Sequence, residues 1–271
     1  MFTKTLWFGL AILILACPLL ADEDPAPAEE PEVAQATDKQ ARHELKIFKQ
    51  SFDTEDIDFK LDAMIRLGKC VHKDVMKTLL TLLFKDPDPF VRAEAAKSLG
   101  YQIPFAELIG RKVTKILEDK DADPKILREL VRTIGTLNYR RGWELLVDLI
   151  PHDDDQVVVA VFKVLGEWKE LRALQEMEEF WSAYPSEGSW STGSVTVDTG
   201  AAGNTDAKAA KAKWMAKYGA RRKQRARPEC VKALKAAVLQ ITGEAIAKSE
   251  ALRQWRSDHK DEIKRAERQR Y

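Results

Sequence analysis

The sequence predicts an all-α solenoid, a run of helix pairs in which each pair leans on the next. Three observations predict it. An Asp stands twelve residues before a Gly four times: Asp56 and Gly68, Asp88 and Gly100, Asp123 and Gly135, Asp154 and Gly166. Successive glycines lie 32, 35 and 31 residues apart, and an aliphatic residue directly precedes each one (Leu67, Leu99, Ile134, Leu165). Apolar residues within and after each frame recur at helical spacing, not in alternation. A unit of this period cannot bury its own apolar face and becomes dry inside only by stacking on its neighbours.

The chain has 271 residues, 45% hydrophobic and 32% charged, which is enough for a core under strongly solvated helix faces. Residues 1–21 read differently. Lys4 gives a short basic start, Leu6 to Leu15 is an unbroken apolar run, and Ala21 precedes the acidic Asp22-Glu23-Asp24. This layout predicts a secretory signal cleaved after Ala21 and a periplasmic or extracellular protein. The run is too short for a transmembrane helix, which needs about 20 apolar residues. Ile14-Leu15-Ala16-Cys17 also loosely matches a lipoprotein box, so lipidation at Cys17 stands as the lesser alternative. Residues 22–40 are an acidic, Pro-rich linker expected to be disordered up to a helix start near Asp38.

The frames then read helix, turn, helix. In the second, Asp88 suits an N-cap and Pro89 the first helical position, and Val91, Ala95 and Leu99 share one face. Asp123-Pro124 repeats the device, with Leu127, Val131 and Ile134 apolar; the first and fourth frames keep Asp and Gly without proline. Gly100, and by the same device Gly135, is expected to be the left-handed residue that ends its helix. Second helices are expected on Val75, Leu79, Leu82 and Leu83; on Leu108, Ile109, Val113, Ile116 and Leu117; on Leu145, Leu146, Leu149 and Ile150; and on Leu171, Leu174, Met177, Phe180 and Trp181.

The pattern changes at Pro185. Residues 185–206 are Gly/Ser-rich, with the alternating Ser194-Val195-Thr196-Val197-Asp198, and predict a short β-hairpin or a loop. Helix is expected again over 207–218 and over Pro228–Ile241, the latter ended by Gly243 and buried through Val231, Leu234, Val238 and Ile241. One last amphipathic helix carries Leu252, Trp255 and Ile263, so residues 207–271 cap the solenoid. Cys70 and Cys230 fall at opposite ends of this layout. With helix layers about 8–10 Å apart, they lie beyond the roughly 7 Å Cα separation a disulfide tolerates.

Asp88-Pro-Phe-Val-Arg-Ala-Glu-Ala-Ala-Lys-Ser-Leu-Gly100 resembles the first helix of a HEAT-like repeat of the phycobilisome-lyase type, and the likeness extends over about residues 53–184. Leu234 to Ile263, with Ile241-Thr-Gly-Glu244 and Trp255, is similar to the final unit of exported bacterial HEAT-repeat proteins. The resemblance implies a right-handed α-α superhelix whose second helices line its inner face, and partner binding as its role. The family's Val-Arg pair stands only at Val91-Arg92; Lys60, Leu127 and Val158 hold the matching Arg positions.

On that layout Lys73, Lys77, Arg111, Lys112, Lys115, Arg140 and Arg141 supply positive charge to a groove, and Glu176, Glu178 and Glu179 supply negative charge. A groove graded in this way steers a polar partner; the same charges also suit an ordinary solvated face. Trp190, in the Gly/Ser-rich segment, is a candidate aromatic contact or a plug that pins the segment down. Residues 208–227 carry nine bases and no acid, and Arg221, Arg222, Lys223 and Arg225 are the candidate contacts for an anionic surface or glycan. Nucleic acid is not an expected partner of an exported chain. There is no GxSxG, HExxH or phosphate loop, and no ligand spacing among the four histidines.

The expectation is an exported, non-catalytic scaffold that binds a protein or peptide in the cell envelope, with no cofactor. Two alternatives stand beside it: a bilin-lyase-like enzyme or chromophore chaperone, and an anionic-surface or glycan adaptor working through residues 208–227.

Overall fold

Capping chemistry sets where the helices begin. In the computed structural model, which describes residues 35–119, 121–184 and 227–268, Thr37 opens α1 (Asp38–Phe52) with a capping box. Its hydroxyl accepts from the Gln40 amide while the Gln40 side chain accepts from the Thr37 N–H. Four helix pairs follow: α2 (Ile57–Gly68) with α3 (Lys73–Lys85), α4 (Pro89–Leu99) with α5 (Ala106–Leu117), α6 (Pro124–Thr136) with α7 (Trp143–Asp148), and α8 (Asp155–Glu167) with α9 (Leu174–Ala183). Asp56, Asp88, Asp123 and Asp154 cap α2, α4, α6 and α8, each carboxylate accepting the backbone N–H two residues on. Then come α10 (Pro228–Thr242), α11 (Ser249–Asp258) and α12 (Lys260–Arg268). The described residues are all-α, with no strand among them, and lie in the compact unit Val33–Tyr271. Of the linker expected over 22–40, residues 35–40 are described and 38–40 already belong to α1, because the Thr37 cap starts the helix there; the 185–206 segment, the helix expected over 207–218 and the tract 1–21 fall outside the described residues.

The helices that open the frames pack in sequence, α2 on α4, α4 on α6, α6 on α8, and α8 on α10. Val91, Ala95, Leu99, Leu127, Val131, Ile134, Val161 and Leu165 are buried between them, as the spacing requires. Leu108 is the exception on the second helices, 39% exposed at the start of α5 while Ile109 and Val113 take the core positions.

Gly100 and Gly135 differ from the expectation. None of the four frame glycines is left-handed: Gly100 has φ −61° and ψ −23°, and among the described residues Gly243 is the one glycine with positive φ, at 75°. At Gly68, Gly135 and Gly166 the role is close approach, while a Cβ on Gly100 would meet the next helix only at 3.8 Å, at Thr133 Oγ1. A Cβ on Gly68 would lie 2.8 Å from Ser98 Cβ, and one on Gly135 would lie 2.7 Å from Val164 Cγ2. One on Gly166 would lie 2.9 Å from Ala237 Cα. Each of these residues stands ten positions after its own helix's cap position, in the next helix of the series. The left-handed residue comes three places after the glycine, at Asn138 and Lys169. There, Tyr139 N–H donates to the Ile134 carbonyl and Asn138 N–H to that of Gly135, and Glu170 and Lys169 repeat the arrangement with Leu165 and Gly166. These are Schellman closures.

Polar side chains stitch the same contacts. Ser98 Oγ donates to the Met64 carbonyl and buried Thr133 Oγ1 to that of Ala96. Gln102, fully buried, donates to the Gly68 and Cys70 carbonyls and accepts from the His72 amide.

At the C-terminal end two helices stand where one was expected. His259 stacks on Trp255 at 3.9 Å and its Nδ1 bonds the Trp255 carbonyl, so ring and backbone end α11 together before α12 begins. Gly243 ends α10 in the left-handed conformation, as the sequence indicates.

Candidate functional site

A groove between α1 and α2 is the candidate site. It encloses about 200 Å³. Glu44, Ile47, Phe48 and Ser51 line it from α1; Phe59, Asp62, Ala63, Arg66 and Leu67 line it from α2. Both sets follow helical spacing, so each helix contributes one face. The floor is apolar through Phe48 and Leu67, and Phe59 stands 53% exposed at the edge. Arg66 holds Glu44 with two bonds, Nε to one carboxylate oxygen at 3.0 Å and Nη2 to the other at 3.1 Å. The carboxylate raises the Arg66 pKa through that hydrogen bond first and its charge second. Asp62 sits exposed on the rim, with no ion pair among the described residues. The lining thus carries two carboxylates and one guanidinium.

The charged residues expected on the second helices are mostly at the surface. Lys73, Lys77, Arg111, Lys112 and Lys115 are exposed on α3 and α5, and Glu176 and Glu179 are half-buried on α9. Lys77 pairs with Asp74 in its own helix at 3.2 Å, and the hydrogen bond from Lys77 is the main cause that lowers the Asp74 pKa. Arg111 and Arg141 are brought together on the Glu107 carboxylate, Arg111 at 3.7 Å, while Arg140 donates to Asn138 Oδ1. Glu178 belongs elsewhere. It is buried and accepts from Arg253 at 2.8 Å and from Arg256, joining α9 to α11.

Two further ion pairs were not legible beforehand. Buried Glu170 takes Arg172 through both oxygens at 2.6 and 2.7 Å, and that guanidinium lies 4.2 Å from the Trp143 ring centre. Arg227, expected in the basic tract that faces an anionic surface, is 3% exposed. It donates to Asp155 at 2.6 Å and to the His152 carbonyl at 3.0 Å, beside the Phe180 and Tyr184 rings. It therefore turns inward and anchors α10 to α8. Its signal lay in position: Arg227 precedes Pro228 as Asp88 precedes Pro89. Trp190, Arg221, Arg222, Lys223 and Arg225 lie outside the described residues.

The two cysteines among the described residues, Cys70 and Cys230, are free. Burial is the main cause that pushes the Cys230 thiol up to about 11, and burial also raises Cys70, so neither carries much thiolate near neutral pH. Among the described residues no three His, Cys, Asp or Glu side chains converge to hold a metal ion. None of the described helices is long and apolar enough to cross a membrane.

Comparison with protein-family models and with curated proteins returns no match. The described residues are all-helical, about twelve helices packed side by side.

Proposed function

We propose that this chain is an exported HEAT-like solenoid that serves as a non-catalytic scaffold, holding a protein partner in the cell envelope. The reading is carried by one observation: five helices, α2, α4, α6, α8 and α10, contact each other in chain order, with close approaches at frame glycines. Helices joined in series to their neighbours make a surface wider than the core needs, which is the architecture proteins use to hold partners. The groove of α1 and α2 adds an apolar floor with a charged rim, the composition of a peptide-docking place. The N-terminal sequence supplies the export signal.

The test is proximity labelling from the tagged full-length chain in its host, with fractionation and N-terminal sequencing. Export and scaffolding require a new N-terminus after Ala21 and a reproducible set of envelope neighbours. A chain that keeps Met1 in the cytosol, or that labels nothing above a secreted control, refutes the reading.

A further inference from the structure

At the groove α2 leaves open the face that the other helices of its series bury. In α4, α6, α8 and α10 the residues three, seven and ten places after the cap position face the preceding helix and are buried. They are Val91, Ala95 and Ser98 in α4, then Ile126, Leu130 and Thr133 in α6; Val157, Val161 and Val164 in α8, then Cys230, Leu234 and Ala237 in α10. Hydrogen bonds from Ser98 and Thr133, and the Cys230 Sγ contact with the Asp155 carbonyl, give the direction of this face. In α2 the same places are Phe59, Ala63 and Arg66, and they line the groove instead. Phe59 and Arg66 are exposed and Ala63 is half-buried.

We propose that a partner protein inserts an amphipathic α-helix here, laid along α2 as α2 lies along α4. This rests on the scaffold reading and names its docking mode. The groove dictates the chemistry of the visitor. Ser98, Val164 and Ala237 leave no room for a Cβ on the glycine they face, whereas Thr133 leaves it beside Gly100; with Arg66 at this place in α2, a small residue such as glycine opposite it lets the visiting helix come closest. Glu44 already holds the groove's one cation and Asp62 holds none, so the visiting helix carries Lys or Arg beside Asp62. A second copy fits poorly. The open end of its own series is α10, where Leu239 stands at the glycine position, 47% exposed.

The test uses the intact chain and a defined probe, a stapled, fluorescein-labelled peptide of residues 123–137. It presents Gly135 as α6 does to α8, with Arg128 and Arg132 on the same helix; Glu129→Gln frees both bases from the carboxylate they share. Saturable anisotropy binding is expected, weakened about tenfold or more by Ala63→Arg, by Asp62→Lys, and by Gly135→Leu in the peptide. Leu239→Asp at the other end leaves it unchanged. Asp62→Lys changes an exposed side chain and keeps the test valid should Ala63→Arg unfold.

No saturation up to about 1 mM peptide, or binding indifferent to both groove variants, overturns the proposal. So does self-association of the wild type that Ala63→Arg abolishes, because the occupant is then a second copy. Envelope neighbours that persist in the Asp62→Lys chain discard the groove while leaving the scaffold reading intact.

Discussion

Gly135→Ala separates packing from backbone conformation as the reason for the frame glycines. Gly135 lies in the last turn of α6 without a positive φ. Helix propensity alone makes Ala better there by about 1 kcal/mol. The added Cβ meets Val164 Cγ2 at 2.7 Å and Cγ1 at 3.2 Å, both on a buried side chain. Overpacking of this kind costs about 1–3 kcal/mol, so the net effect is destabilising by about 1 kcal/mol. For a domain of this size that lowers Tm by about 2–4 °C. In a Val164→Ala background the two closest atoms are gone and only Cβ remains, at 3.5 Å, an ordinary contact. There the same Gly135→Ala stabilises by up to about 1 kcal/mol, a coupling of about 2 kcal/mol in the cycle. Urea and thermal melts of the four proteins measure it. Destabilisation of equal size in both backgrounds refutes the packing argument and returns the glycine to a backbone role.

Gly243 is the converse case: φ is 75° and nothing lies within 4 Å of where a Cβ would stand. Gly243→Ala therefore costs about 1 kcal/mol from the left-handed conformation alone, and Gly243→Asn recovers part of it; equal melts for all three dismiss the cap. Arg227→Ala removes the guanidinium from the α8–α10 contact with Asp155 and the His152 carbonyl and is expected to cost about 3 kcal/mol in urea unfolding, whereas a loss below about 1 kcal/mol means the pair is solvated. Cys230 gives a pH signature. Its folded pKa is raised from 9.0 to about 11, so the unfolded chain ionises first. Stability is full below pH 9 and declines by about 2–3 kcal/mol as pH rises through 11. Cys230→Ala removes that share of the slope, and identical slopes in the two proteins contradict the burial of the thiol.

The helix starts were legible because they are local. Asp88-Pro89 and Asp123-Pro124 satisfy orphan amides with side chains two residues away, and no distant contact is needed to predict them. The Thr37 and Gln40 capping box, read only as a helix start near Asp38, is equally local. Gly243 is the same kind of signal read correctly. Gly68, Gly135 and Gly166 look identical to it in sequence, yet what they serve is a helix about thirty or more residues on, or seventy in the case of Ala237.

By itself the sequence determined the helical class, the starts of the four frame helices and the buried face of the second and third frames, since spacing and caps act within a few residues. Tertiary structure alone decided which glycines are contact points, that Arg227 and Glu178 turn inward, that Leu108 turns outward, and that α2 keeps an open face beside α1. Each of those depends on which helix comes to lie against which, and the free energy of such contacts arises only when distant parts of the chain meet.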